Sequence, residues 1–190
     1  MVVETIAQHH GAAASRLQIH RLGLWLFILS ECFLFGAIIS ARYFLAGVSR
    51  PHELNQGLGL AITMVLLLSS LTAYRSEVAA AHGNTRQFIR NSLATIILGG
   101  LFLVGVTVEW GEAFEFFPPQ SAFGTIFFPL TGLHAFHVIS GLLLLGFIAV
   151  KGRNGKYSEH DYWPVEGAVK YWHFVDIAWV VIYPTIYLVS

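Results

Sequence analysis

Long apolar runs separated by short polar breaks dominate the chain. Five stretches approach the ~20 apolar residues with which a helix crosses a bilayer. They are Leu22 to Leu45, Leu58 to Tyr74, Leu93 to Trp110, Thr125 to Val150 and Gly167 to Val189. The breaks hold residues that end helices or prefer water: Arg50-Pro51-His52, His82-Gly83-Asn84, Pro118-Pro119 and Gly152-Arg153-Asn154-Gly155-Lys156. The pattern predicts an all-α integral membrane bundle of five transmembrane helices, because only helices and closed barrels satisfy their backbone groups in lipid. A polar N-terminal tail, residues 1–21, precedes one transmembrane domain over residues 22–190. The tail carries His9, His10, Ser15, Arg16 and His20 and lacks the apolar core of a cleavable signal, so the first run is expected to stay as a span.

Composition agrees. The chain is 55% hydrophobic and 12% charged, where a soluble domain carries about 25% charged residues. Formal net charge is zero and there is no basic tract, so a nucleic-acid role has no footing. The single cysteine, Cys32, excludes an intramolecular disulfide and reads as a small packing residue. Of the 11 lysines and arginines, all but Arg42 and Arg50 fall on one side if the chain crosses five times. The third break, by contrast, is flanked by Glu109, Glu112 and Glu115. The positive-inside rule then predicts a cytoplasmic N-terminus and an outside C-terminus. Trp110, Phe116, Phe117 and Tyr43 fall at the outer boundary and Trp163 at the inner one, as interfacial anchors do.

Ionisable groups inside apolar runs are costly and mark a function or a fixed partner. Glu31 lies about 13 Å into the first run at helical rise. It reads either as a neutral acid bonded within the bundle or as a proton-exchanging or headgroup-binding carboxyl. His134 and His137, at i and i+3, share a face of the fourth run. Interhelical hydrogen bonding suits them better than metal, because a ferritin-like site needs paired Glu-x-x-His motifs. Glu166, His173 and Asp176 line one face of the last run, flanked by Trp172 and Trp179, which read as packing. Glu109 stands at a helix end, half buried, while Glu112 and Glu115 read as solvated loop acids. No nucleophile–base pair, phosphate loop or haem-attachment motif can be assembled. On residues alone, an accessory subunit, a small transporter and a proton path fit equally.

Four stretches, in order, carry a resemblance over about residues 20 to 190. Tyr171-Trp-His-Phe-Val-Asp-Ile-Ala-Trp179 resembles the C-terminal signature of subunit III of the haem-copper terminal oxidases. Leu24-Trp-Leu-Phe-Ile-Leu-Ser-Glu-Cys-Phe-Leu-Phe35 is similar to the family helix with a mid-membrane carboxyl, with Glu31 at that position. Glu109-Trp110 resembles an acidic-aromatic helix end. Gly124 to Gly141 is similar to the Thr-Gly-x-His-x-x-His-Val helix, and Glu166 matches the acid before the Tyr-Trp-His run.

The resemblance implies a non-redox subunit that packs against catalytic subunit I, beside subunit II and possible further respiratory subunits. Dioxygen reduction, haems and copper are then expected in those partners, with no metal or cofactor in this chain. It implies support of proton uptake at the cytoplasmic side, protection of subunit I during turnover, and phospholipid in a cleft. Glu31, His134, His137, Glu166, His173 and Asp176 become the proton-uptake or headgroup candidates. Glu109, Lys151 and Lys156 become weaker interface candidates. Longer members have two further N-terminal helices bounding that cleft. Lys170 stands where an aromatic is expected, its charge snorkelling to the inner interface. The five-helix length points to a bacterial cytoplasmic membrane, with cytochrome c as electron donor, favoured by Glu31, or quinol as the alternative. A carrier using Glu31 and Asp176 and a metalloenzyme using His134, His137 and His173 are the readings of other classes.

Overall fold

The computed structural model describes residues 2–45, 47, 55–158 and 161–189, with side chains from residue 16 onward. The break Arg50-Pro51-His52 and the side chains of His9 and His10 lie outside the described residues. Five α-helices follow in order: α1 Val2–Leu45, α2 Gln56–Ala81, α3 Thr85–Phe116, α4 Gly124–Gly152 and α5 Trp163–Tyr183. A π-helical turn, Pro184–Leu188, extends α5. Pro184 brings no N–H to the helical ladder, and the Val189 N–H bonds the Pro184 carbonyl at 3.0 Å, a five-residue step.

Helix ends and hydropathy ends differ, because backbone hydrogen bonding continues into the polar interface while apolar composition stops. Thus α2 runs past Tyr74, α3 begins before Leu93, and only His82-Gly83-Asn84 separates them. Gly83 turns the chain at φ +66°, a conformation that favours glycine. The Asn84 side chain accepts the Gln87 N–H at 3.1 Å, and Asn55 accepts the Leu58 N–H at 3.1 Å, both as N-caps. At its other extreme α1 runs back through the tail to Val2. Glu112 and Glu115, read as loop acids, stand exposed on the last turns of α3.

Contacts run α2–α3, α3–α4, α4–α5 and α5–α2, closing a four-helix ring, and α1 rests on the α4/α5 edge. Along α1, Arg21 meets Glu166, Phe27 meets Tyr171 and Phe35 meets Phe174, so α1 and α5 run parallel. Four helices, α1 from Arg16 onward and α2 to α4, are long and apolar enough to cross a membrane. The fifth, α5, carries Glu166, Lys170 and Asp176, and more than half of its residues are buried. Its 21 residues reach about 31 Å at helical rise, enough to cross beside α2 and α4. Hydropathy understates α5 because its polar groups face protein rather than lipid.

The face of α1 that meets α4 and α5 carries Leu24, Ile28, Glu31, Phe35 and Arg42, spaced at three, four and seven residues. Cys32 lies one residue, about 100° of helix, beyond Glu31. It is therefore exposed rather than the packing residue expected from its apolar surroundings.

Small residues let α5 approach its neighbours. The fully buried Trp172 fills a notch between α3 and α4: a Cβ on Gly99 would stand 2.7 Å from its ring, and one on Gly141 2.8 Å from it. Gly141→Val is expected to lower thermal stability by about 1–3 kcal/mol through overpacking. An unchanged melting curve in detergent would contradict the notch.

The buried indoles of Trp172 and Trp179 and the half-buried one of Trp110 follow one rule. The Nε1–H of Trp172 donates to Ser69 at 3.0 Å, Trp179 to Thr63 at 2.9 Å, and Trp110 to Thr131 at 3.0 Å. Each hydroxyl in turn donates to a carbonyl of its own helix, at Leu66, Gly59 and Phe127. Ser and Thr can do this because they accept and donate at one oxygen. Two of the three relays join α5 to α2 and set their antiparallel register. Trp172 and Trp179, expected only to pack, also carry these bonds.

Candidate functional site

The polar residues of the bundle form separate groups along the α1/α4/α5 and α2/α5 contacts. At one end, Arg21 of α1 donates to both Glu166 oxygens, at 3.1 and 3.4 Å. Lys170, one turn along α5, also donates to Glu166. The Trp163 ring lies beneath both cations, 5.4 Å from the Arg21 guanidinium and 5.7 Å from the Lys170 ammonium. Arg21 entered the sequence reading only as a topogenic charge; its place just before the first span was the available signal that it could reach a partner at that boundary.

Further along α1, Glu31 meets His137 of α4. The Nδ1 of His137 is 2.8 Å from the Leu133 carbonyl, which only accepts, so this nitrogen carries hydrogen. The tautomer is assigned by that partner. Nε2 then faces Glu31 Oε2 at 3.1 Å. For this contact to be a hydrogen bond, one proton must lie between the groups, on the acid beside a neutral ring or on the ring beside a carboxylate. The pair is neutral overall in both cases. Its surroundings extend the bonding: Tyr171 donates to Ser140 at 2.6 Å, and Ser140 donates to the His137 carbonyl at 2.8 Å. An open groove of about 510 Å³ runs beside this group, lined by Leu24, Phe27, Ser140, Phe147, Trp163 and Tyr171 among others.

His134 and His137 part company. His134 is fully buried, with Trp179 4.8 Å, Phe102 5.5 Å and Phe35 6.4 Å away between ring centroids. Neither of its nitrogens has a hydrogen-bond partner among the described residues. The interhelical hydrogen bond expected of it is therefore corrected: aromatic rings from α1, α3 and α5 pack around the imidazole instead. Both nitrogens of His137 are engaged, so the two imidazoles do not converge on a metal. Among the described residues no group of three His, Cys, Asp and Glu is arranged to hold one.

On the other side of α5, His173 Nδ1 lies 2.7 Å from Ser70 of α2 and 3.9 Å from Asp176 Oδ2. Asp176 is buried beside His173 and Ser70, and neither of its oxygens makes a hydrogen bond of ordinary length among the described residues. Glu166 therefore faces α1 while His173 and Asp176 face α2, although all three lie within one broad stripe of α5. Ser70 escaped the sequence reading because a serine within an apolar run carries no distinctive signal.

Near the far end, Glu109 is 3% exposed, not half buried as its place at the end of the apolar run implied. The Tyr187 hydroxyl donates to it, and Gln56 donates to the Tyr187 carbonyl at 3.0 Å. Buried Arg42 lies 5.2 Å over the Phe123 ring and donates to the Gly47 carbonyl. Lys151 lies over Phe147 at 4.7 Å, and Lys156 stands exposed in the α4–α5 connection. In that connection Tyr157 packs on Phe88, and burial, with Asp161 nearby, pushes its phenol above the usual range.

Comparison with known proteins adds an independent line. The family model for cytochrome c oxidase subunit III matches residues 1–190. A probable cytochrome c oxidase subunit 3 of Nocardia farcinica is 32% identical over 174 residues, covering 85% of this chain and 84% of that protein. A cytochrome c oxidase subunit 3 of Corynebacterium diphtheriae is 31% identical over 190 residues, covering 94% and 92%. One from Anopheles gambiae is 32% identical over 180 residues, covering 88% of this chain but 68% of the longer insect protein.

Proposed function

The chain belongs to the cytochrome c oxidase subunit III family, and from that premise we propose that it supports proton uptake by, and stability of, a catalytic subunit I. Membership makes it a multi-pass membrane protein of a haem-copper oxidase complex with other subunits. In this reading the chain performs no redox step. Haems, copper and dioxygen reduction belong to its partners, subunits I and II, and cytochrome c is the electron donor.

The pair Glu31–His137 carries the proposal. It sits at mid-helix between α1 and α4, and the Glu31 side chain keeps 17% of its surface open. A carboxyl and an imidazole sharing one proton can accept a second, leaving imidazolium beside neutral acid. They can also release the first, leaving carboxylate beside neutral ring. That suits a group that exchanges protons near a pump without holding a fixed buried charge.

Sidedness follows from the same reading. The basic residues favour a cytoplasmic N-terminus in a bacterial cytoplasmic membrane, and parallel α1 and α5 suit a C-terminus on the opposite face. The groove beside Tyr171, with Trp163 among its lining and the Arg21 and Lys170 cations over that ring, suits a phospholipid. After gentle solubilisation the chain is expected to travel with a haem-bearing partner, detected by the absorption spectrum of the purified fraction. Recovery of the chain without any haem protein would contradict the proposal. A copper-site Cys/His/Met cluster in the accompanying subunit II is expected; its absence would make the donor a quinol.

A further inference from the structure

A polar pocket, separate from the apolar groove beside Tyr171, lies where α2 and α3 come together next to their connecting turn. It measures about 380 Å³ and is lined by Tyr74, Arg75, Val78, Ala79, Gln87, Arg90 and Asn91. From these residues we infer a binding site for the phosphodiester headgroup of an anionic phospholipid.

The lining supplies donors of the kinds a phosphate needs. Arg75 and Arg90 bring two guanidinium forks, Gln87 and Asn91 bring amide N–H groups, and Tyr74 brings a hydroxyl. No carboxylate lines the pocket. Glu77, two residues beyond Arg75, interacts instead with Glu166, Lys170 and His173 on the α5 side. No ion pair among the described residues engages Arg75 or Arg90. Two uncompensated cations therefore flank one cavity.

The depth is right for a headgroup. The apolar stretch of α2 ends at Tyr74 and that of α3 begins at Leu93, so the cations stand at the boundary where lipid phosphates lie. Leu67, Leu71, Tyr74 and Val78 are exposed on α2 at spacings of three and four, forming an apolar track from the pocket toward the hydrocarbon. An acyl chain can follow that track while its phosphate sits between the arginines. Next to it, α2 and α3 are joined by Ser76–Ser92 at 2.6 Å and Thr72–Thr95 at 2.7 Å, which ties together the two helices that carry the lining. A headgroup with net negative charge is favoured over a zwitterionic one, because choline or ethanolamine finds no acid in the lining.

The test uses the full chain, with the subunits that accompany it, in mild detergent. It is titrated with dioleoyl phosphatidylglycerol and read by native mass spectrometry. One saturable adduct is expected, weakened roughly fivefold by Arg75→Gln or Arg90→Gln and about thirtyfold by both. Arg86→Gln removes the same charge from the same helix outside the pocket and is expected to leave binding unchanged. Dioleoyl phosphatidylcholine is not expected to compete, nor is inorganic phosphate at millimolar concentration. An unaffected double variant, an equal loss with Arg86→Gln, or displacement by either competitor would overturn the assignment. If the double glutamine variant fails to accumulate, Arg75→Lys with Arg90→Lys keeps both charges but loses the forks. Binding is then expected to weaken several-fold, and undiminished binding would likewise overturn it.

Discussion

Trp172→Ala is expected to destabilise the bundle by about 3–5 kcal/mol. The indole is fully buried where α2, α3, α4 and α5 meet, in the notch left by Gly99 and Gly141. Removing it opens a cavity that those helices cannot close without breaking their other contacts. The lost hydrogen bond is the smaller part, since Ser69 keeps its bond to the Leu66 carbonyl. Trp172→Phe separates the two contributions: it retains most of the volume, drops the N–H, and is expected to cost about 1 kcal/mol beyond the packing change. Melting of the purified complex measures both. An alanine variant that melts within a degree or two of the parent would show that filling the notch does not hold the four helices together.

Glu31→Ala and Glu31→Gln are expected to diverge. Alanine leaves His137 Nε2 facing an emptied space, a loss of about 1–3 kcal/mol for an unsatisfied buried group. Glutamine can donate an amide N–H to the same nitrogen, so stability is expected to stay within about 1 kcal/mol of the parent. Neither variant retains an exchangeable acid. Both are expected to slow proton uptake by the assembled oxidase and shorten its working life, with haem spectra unchanged. Normal proton uptake in the glutamine variant would remove Glu31 from the proton role. Altered haem spectra would instead put it close to the redox centres.

The helices were legible in the hydropathy pattern, because lipid-facing residues must be apolar whatever they pack beside. Helix ends were less legible: α3 begins at Thr85 because Asn84 caps it, eight residues before the apolar run at Leu93. Side-chain partners were least legible. Spacing along one helix suggested that His134 and His137 act together and that Glu166 shares a face with His173 and Asp176. In the folded chain, partners come from other helices: Glu31 for His137, Arg21 for Glu166, Ser70 for His173. A three-residue step turns an α-helix by about 300°, leaving a 60° offset. For His134 and His137 that offset sends the two rings to different neighbours, whereas Glu166 and His173, only about 20° apart in angle, are separated by about 10 Å along α5 and so meet different helices. Cys32 shows the same effect beside Glu31. The motifs behind the family resemblance identified important positions without saying which of them touch.

The hydroxyl relays have a consequence for the order in which the protein is made. Trp172 and Trp179 belong to α5, yet the Ser69 and Thr63 that receive them belong to α2, and the glycines that admit Trp172 belong to α3 and α4. Until the ribosome has supplied α5, the earlier helices leave the insertion machinery with an open trough facing the lipid. Ring closure is therefore a late event in biogenesis, driven by one helix too polar to be held comfortably by the bilayer alone. A nascent chain stalled after Gly152 is left with the notch of Gly99 and Gly141 unfilled and with Ser69 and Thr63 lacking their indole donors.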